Sequence, residues 1–388
     1  MDFAARQICN SNSIGGLMYR FQGKQWVAMT GMVVCLLIFT AASAAACTGI
    51  QLRAGDGTVV RGRTMEWGSF DMQTRVAVIP RGTTFSSPTP DGGQGLAWKA
   101  KYGFAGMEVL GKAVSDGMNE KGLSGGMFYH HGFAEYAEYD AGRTAKYLSP
   151  NDVLNYILSS FATLEEVREG LSQVTVVPVV DSDFGIPAPI HMMLSAPGGN
   201  SMVVEFKNGK PVFFDNPVGV ITNNPTFDWH LTNLRNYGFL SPKPFPNTQW
   251  GDLKISPLAG GSGFIGLPGD FTAPSRFVRA AVFTQFARDT NNGPATVLES
   301  FRILDNFNVP PAQSEGSDQS TAASLPSATQ WTVVMDTGNL TMYYHTMFNR
   351  RVRKIDLKKI DFTKGTKRGI PVDKNRAQDI EDLTRELH

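Results

Sequence analysis

The chain has 388 residues, 42% of them hydrophobic and 18% charged, with 36 Lys and Arg against 35 Asp and Glu. A formal net charge of +1 gives no electrostatic case for nucleic acid as the main partner, and the apolar fraction excludes a disordered chain. The 40 glycines point to many turns and much β structure.

Residues 1–24 are polar, with Arg6, Arg20 and Lys24; residues 25–46 carry no charge and end in Ala44-Ala45-Ala46. A basic flank, an apolar core and a small-residue A-x-A site read as a secretory leader removed before Cys47. Residues 47–388 then form a single domain, and the mature protein is periplasmic or secreted. Two rivals stand beside this reading. The apolar stretch is long enough to remain as a membrane anchor, and a cysteine after small residues is where a lipid would be attached. Cys9 and Cys35 precede the cleavage point, so the mature chain holds one thiol and no internal disulfide. An exposed N-terminal cysteine unites a nucleophilic thiol with an α-amine of pKa about 7.7–8.0, which can act as a base near neutrality.

Thr48–Arg53 and Thr58–Thr64 are predicted strands of a hairpin around Gly55-Asp56-Gly57. With Asp56-Gly57 as the two turn residues, Cys47 lies opposite Glu66; another turn register moves this by about a residue or two, and in either case Arg63 and Glu66 come near the new N-terminus. Short strands and loops follow. Asp116–Leu123 turns into a buried strand ending at Tyr129, and the adjacent His130 and His131 point to opposite faces, a poor joint metal site. Ser149-Pro150 starts a helix, and Thr163-Leu164-Glu165-Glu166 is a capping box for a second. Val174–Val180, His191–Ala196 and Ser201–Phe206 read as strands, and Val218–Thr222 as an apolar strand ending at Asn223-Asn224-Pro225. Phe227–Tyr237, Pro274–Arg288 and Pro294–Phe307 read as helices. Arg276 sits in a first turn, where the helix dipole disfavours a cation. Residues 349–388 alternate acids and bases, as a solvated tail does.

The ordered set Cys47-Thr48-Gly49, Gly62-Arg63-Thr64-Met65-Glu66, Asn119–Leu123, Thr222-Asn223-Asn224-Pro225-x-Phe227-x-Trp229 and Gly266-Leu267-Pro268-Gly269-Asp270 before Ser275-Arg276-Phe277 resembles the choloylglycine hydrolase family. That family includes bile salt hydrolases and penicillin V acylases, and the resemblance runs from Cys47 to about Leu357. It implies an α+β, four-layer αββα N-terminal nucleophile fold, two stacked antiparallel sheets flanked by helices. It further implies that Cys47 attacks a linear amide, with Arg63 beside the thiol, Asn223 as oxyanion donor and Arg276 holding the site geometry. Glu66 stands where the family most often has Asp, and Tyr129 aligns to a substrate-side position. Together with the leader, Tyr129 makes the chain resemble the branch found in Gram-negative bacteria, whose members act variously on bile salts, penicillin V and acyl-homoserine lactones.

The expected function is cysteine amidohydrolysis through a thioester, with conjugated bile salt as the leading substrate and penicillin V or an acyl-homoserine lactone as alternatives. No cofactor or metal is expected. The partner is a small amide with an apolar acyl group, and the resemblance implies a homotetramer. A reading of another class is a tethered ligand-binding lipoprotein lipidated at Cys47. A thiol–histidine dyad is poorer, since the six histidines sit in no recognisable motif.

Overall fold

The computed structural model describes residues 47–68, 70–182, 185–311 and 327–387. The leader read in residues 1–46 lies outside them.

The chain enters as a hairpin, β1 (Thr48–Arg53) and β2 (Val59–Gly68), then crosses to β3 (Arg75–Ile79). A side hairpin, β4 (Thr84–Pro88) and β5 (Gln94–Lys99), precedes the meander β6 (Phe104–Val109), β7 (Ala113–Asn119) and β8 (Ser124–Tyr129). The two-residue strand β9 (Tyr147–Leu148) leads to helices α1 (Val153–Ser160) and α2 (Leu164–Leu171), after which β10 (Thr175–Val176) pairs with β9. Next come β11 (Ile190–Ser195), β12 (Ser201–Lys207), β13 (Lys210–Asp215), β14 (Val220–Ile221) and α3 (Phe227–Leu234). A small hairpin, β15 (Thr248–Trp250) and β16 (Leu253–Ile255), is followed by α4 (Ala273–Gln285) and α5 (Gly293–Leu304). β17 (Ser327–Asp336), β18 (Thr341–Thr346), β19 (Arg353–Asp356) and β20 (Arg368–Pro371) complete the sheets.

The described residues form two main antiparallel sheets beside three two-stranded sheets. One main sheet has the order β14-β1-β2-β17-β18-β19, the other β13-β12-β11-β8-β7-β6-β3-β20. α4 and α5 cover the outer face of the first sheet, and α1 packs on β7 and β8 of the second. β2 is therefore enclosed on both faces, and almost all of its ten residues are buried, including Arg61, Arg63 and Glu66. This is the four-layer α+β architecture that the resemblance implies.

Several expectations are corrected. Thr48 pairs with Thr64 and Gly49 with Arg63, so Cys47 is level with Met65, one residue away from the predicted partner Glu66. The turn holds three residues: Gly57 adopts φ +86°, Gly57 N donates to Ala54 O at 2.9 Å, and Ala54 N to Thr58 O at 2.8 Å. Only Thr175 and Val176 of the run 174–180 lie in a strand, paired to β9 rather than to either main sheet. Ser149 makes no side-chain cap, and Pro150–Asp152 form a 3₁₀ turn before α1. Thr163 does cap α2, accepting from Glu166 N at 3.2 Å, while Glu166 reaches back to Ala162 N at 2.6 Å. The charged C-terminal segment is more than a solvated tail, because β19 extends the first sheet and β20 the second.

Candidate active site

The one-residue difference in register decides what surrounds the thiol, because a slip of one residue exchanges the two faces of a strand. Cys47, Arg63 and Met65 share the face toward the second sheet, while Thr48, Thr64 and Glu66 face the helices. Arg63 Nη2 donates to Cys47 Sγ at 2.8 Å. The rest of that guanidinium is held by the carbonyls of Met127 at 2.7 Å and Ser115 at 3.3 Å. Its plane lies between Phe128, 4.4 Å from the ring centroid, and Trp331, at 5.3 Å. Gly49 makes this possible, since a Cβ there would sit 2.7 Å from Phe128 Cζ. A bulge at Gln330 in β17 turns Trp331 toward Arg63 and Thr329 toward Glu66.

Below Arg63, Arg61 forms a bidentate pair with Asp116 at 3.0 and 2.6 Å, and all three side chains are fully buried. Asp116 Oδ2 is also 3.9 Å from Arg63 Nη1, so one carboxylate faces two guanidinium groups. Burial pushes the Cys47 thiol up, while Arg63 and Arg276 act in the opposite direction.

On the other face, Glu66 accepts from Thr329 Oγ1 at 2.7 Å and from Thr64 Oγ1 at 3.0 Å. Thr64 Oγ1 in turn accepts from Thr48 N at 3.3 Å. The longer carboxylate thus reaches the strand beside Cys47 through a threonine. Burial raises Glu66 to about 7 against the pull of Arg276 and the two hydroxyl donors.

Arg276 comes from the first turn of α4 and is buried under β1. Its guanidinium donates to Cys47 O at 2.5 Å, Thr48 Oγ1 at 2.9 Å, Phe271 O at 2.8 Å and Asn223 Oδ1 at 2.8 Å. Burial lowers it to about 10, and Glu66 and Cys47 partly restore it. The first-turn arginine that looked misplaced against the helix dipole is therefore the group tying α4 to β1 and Asn223. Because Arg276 can only donate, Asn223 must present Oδ1 to it and Nδ2 to the opposite side, where Nδ2 donates to Tyr129 O at 2.8 Å. Nδ2 has a second hydrogen to give.

Tyr129 packs edge-on against Trp67 with centroids 5.2 Å apart. Both line an apolar pocket of about 100 Å³ that opens on Cys47, with Met65, Met72, Met127 and Phe128. The six site residues expected from sequence thus converge on Cys47: Arg63 and Tyr129 on the side of the thiol and its pocket, Glu66 and Arg276 on the helix side of the first sheet, and Asn223 linking Arg276 to the Tyr129 carbonyl.

Sequence reasoning missed two supports. One is Arg61–Asp116, signalled only by an arginine two residues before Arg63. The other is a buried set around residues 222–227: His191 Nε2 lies 3.0 Å from Thr222 O, His230 Nε2 3.1 Å from Asn223 O, and Phe227 N donates to Glu205 Oε1 at 2.7 Å. Burial lowers His191 to about 3 and His230 to about 4, so both are neutral props for this loop. His130 joins His191 and Glu205 closely enough to suggest a cation site. The two imidazoles stack 4.0 Å apart at 10°, however, so their in-plane lone pairs run side by side instead of converging on one ion.

Residues 47–376 match the family of linear amide C–N hydrolases, choloylglycine hydrolase family. The chain is 33% identical over 317 residues to a bile salt hydrolase/transferase of Clostridium perfringens, covering 81% of this chain and 93% of that protein. It is 29% identical over 327 residues to a penicillin V acylase of Pectobacterium atrosepticum, covering 78% of each. The crystal structure of a cysteine-to-alanine mutant of conjugated bile acid hydrolase from C. perfringens superposes with a TM-score of 0.75 at 29% identity, over 87% of this chain and all of that one. A penicillin V acylase from Agrobacterium tumefaciens gives 0.68 at 25% identity, over 84% and 92%. With the fold, the family match and these relatives in agreement, the chain belongs to the choloylglycine hydrolase family of linear amide C–N hydrolases.

Proposed function

We propose that this amide hydrolase works through Cys47 as an N-terminal nucleophile, unmasked by removal of residues 1–46, and that its leading substrate class is conjugated bile salts. The observation that carries the reading is the 2.8 Å contact from Arg63 Nη2 to Cys47 Sγ at the mouth of an apolar pocket. The Cys47 α-amine takes the thiol proton, and the resulting thiolate attacks the amide carbonyl carbon. Negative charge gathers on the carbonyl oxygen, which accepts the second hydrogen of Asn223 Nδ2. The C–N bond breaks as the Cys47 α-ammonium returns a proton to the leaving amine, leaving a thioester. Water, deprotonated by the same amine, attacks the thioester, and the acid departs with Sγ restored. Glu66 and Thr64 orient the strand bearing the amine. Arg276 fixes the Cys47 carbonyl and the Asn223 amide.

A second reading of the acyl group, phenoxyacetyl or an N-acyl-homoserine lactone chain, is favoured by the pocket's small size and its aromatic wall of Trp67, Phe128 and Tyr129. For localisation we propose export to the periplasm or beyond, on the leader pattern of residues 25–46. We propose a homotetramer as well; exposed Phe239, Trp250, Leu253, Leu258 and Ile265 support an assembly surface.

The test is the intact mass of the mature protein from its native compartment, followed by amine release from glycocholate, penicillin V and an acyl-homoserine lactone. A mass beginning at unmodified Cys47, with release from at least one amide, is the expected result. A mass retaining earlier residues, or carrying lipid on Cys47, would overturn the mechanism and favour the tethered binding protein.

A further inference from the structure

Two cavities meet at one side chain. The pocket in front of Cys47 measures about 100 Å³. A second cavity, of about 530 Å³, has Leu110, Trp331 and Phe348 among its walls and Arg75 and Arg376 at its rim. Met72 borders both and is only 3% exposed, so its side chain is a wall between them rather than part of the surface. Its backbone is pinned: Met72 O accepts from Leu110 N at 3.0 Å, in the turn between β6 and β7. That turn spans the same divide, with Val109 lining the first cavity and Leu110 and Gly111 the second. What can move is the methionine side chain, unbranched and with three rotatable bonds.

The sizes make the wall matter. A dry cavity of roughly 150 Å³ is enough to take a benzene ring. The Cys47 pocket, being smaller, is filled by a small ring or a few methylenes. A longer acyl group attached to Cys47 must stop there or go through.

We propose that Met72 is the movable wall that sets the acyl-length limit of this enzyme, and that a flexible straight-chain acyl group longer than the first pocket displaces it and continues into the second cavity. This rests on the amidohydrolase reading above. The chain would run over Trp331 and Phe348, and its far end would emerge at the rim.

The experiment measures kcat/KM for N-acylglycines from butanoyl to dodecanoyl with the unmasked enzyme, Met72→Ala and Met72→Phe. In parallel, calorimetry follows binding of the matching fatty acids to Cys47→Ala carrying the same Met72 changes. Each methylene newly buried is worth about fourfold. Met72→Ala is therefore expected to raise the dodecanoyl-to-butanoyl ratio by roughly tenfold or more, and Met72→Phe to lower it by a similar factor. Superimposable length profiles in all three proteins would overturn the proposal. If no N-acylglycine is hydrolysed, the amidohydrolase reading fails for this substrate class, and the fatty-acid affinities still decide the wall. A length preference that moves with residue 72 supports it; an unchanged preference overturns it.

Discussion

Asn223 offers the sharpest test of the proposed chemistry, because its two amide atoms do different things. Oδ1 accepts from Arg276 Nη2 at 2.8 Å, and one Nδ2 hydrogen goes to Tyr129 O at 2.8 Å. Only the remaining hydrogen is available to an oxyanion. Replacement by alanine removes all three roles. It costs the oxyanion donor, typically about 3–4 kcal/mol or 10²–10³ in kcat. It also takes a hydrogen-bond partner from a buried guanidinium N–H and from the Tyr129 carbonyl, at about 1–3 kcal/mol for a buried donor left unsatisfied. Asn223→Asp separates these effects. A carboxylate still accepts from Arg276, so the tie to α4 survives, while the oxyanion donor and the donation to Tyr129 O are both lost. The expected outcome is that both variants lose about 10²–10³ in kcat with little change in KM, whereas Asn223→Asp keeps more of the denaturation midpoint than Asn223→Ala. Single-turnover release of amine, paired with urea titrations, reads both quantities. An Asn223→Asp enzyme within about tenfold of the parent kcat would refute the oxyanion assignment.

The other predictions concern the groups around Cys47. Glu66 is raised from 4.5 to about 7 by burial, so the native state holds its proton more tightly than the unfolded chain does. The stability this contributes is present below pH 4.5 and is lost as pH rises through 7. Glu66→Gln removes that dependence, and its melting temperature relative to the parent should rise between pH 5 and 8, by the equivalent of on the order of 3 kcal/mol; parallel curves would contradict the burial argument. Gly126→Ala would place a Cβ 2.2 Å from both Arg61 Nη2 and Asp116 Oδ2. Prising this buried pair apart should destabilise by about 3–5 kcal/mol in urea titration, and a midpoint matching the parent would show that the pair can shift freely. Cys47→Ser and Cys47→Ala should abolish turnover, whereas a chelator should leave the parent enzyme active; inhibition reversed by added metal would argue against this mechanism.

Local signals in the sequence carried much of the result. Gly55-Asp56-Gly57 marks a hairpin because tight turns need residues that tolerate positive φ, and Thr163 with Glu166 marks a helix start because their side chains satisfy backbone donors. The family motifs brought Cys47, Arg63, Glu66, Tyr129, Asn223 and Arg276 to one place on paper, from positions as far apart in the chain as β1 and α4. The unusual first-turn position of Arg276 could be read as odd, but its reason lay in β1, which local sequence does not contain. His191, His230 and Glu205 carried no recognisable spacing, since what unites them is contact with the backbone of residues 222–227.

What the chain alone determined was the existence of the β1–β2 hairpin and the residue types it brings to the nucleophile. What only the tertiary structure decided was their facing. The third residue admitted into the turn shifts the register by one and sends Arg63 and Met65, rather than Glu66, to the side of the thiol. The bulge at Gln330 then parts Trp331 from Thr329 across the sheet. Strand parity is a collective property of turn geometry, cross-strand hydrogen bonds and packing on both faces, and a pattern read along one strand does not contain it.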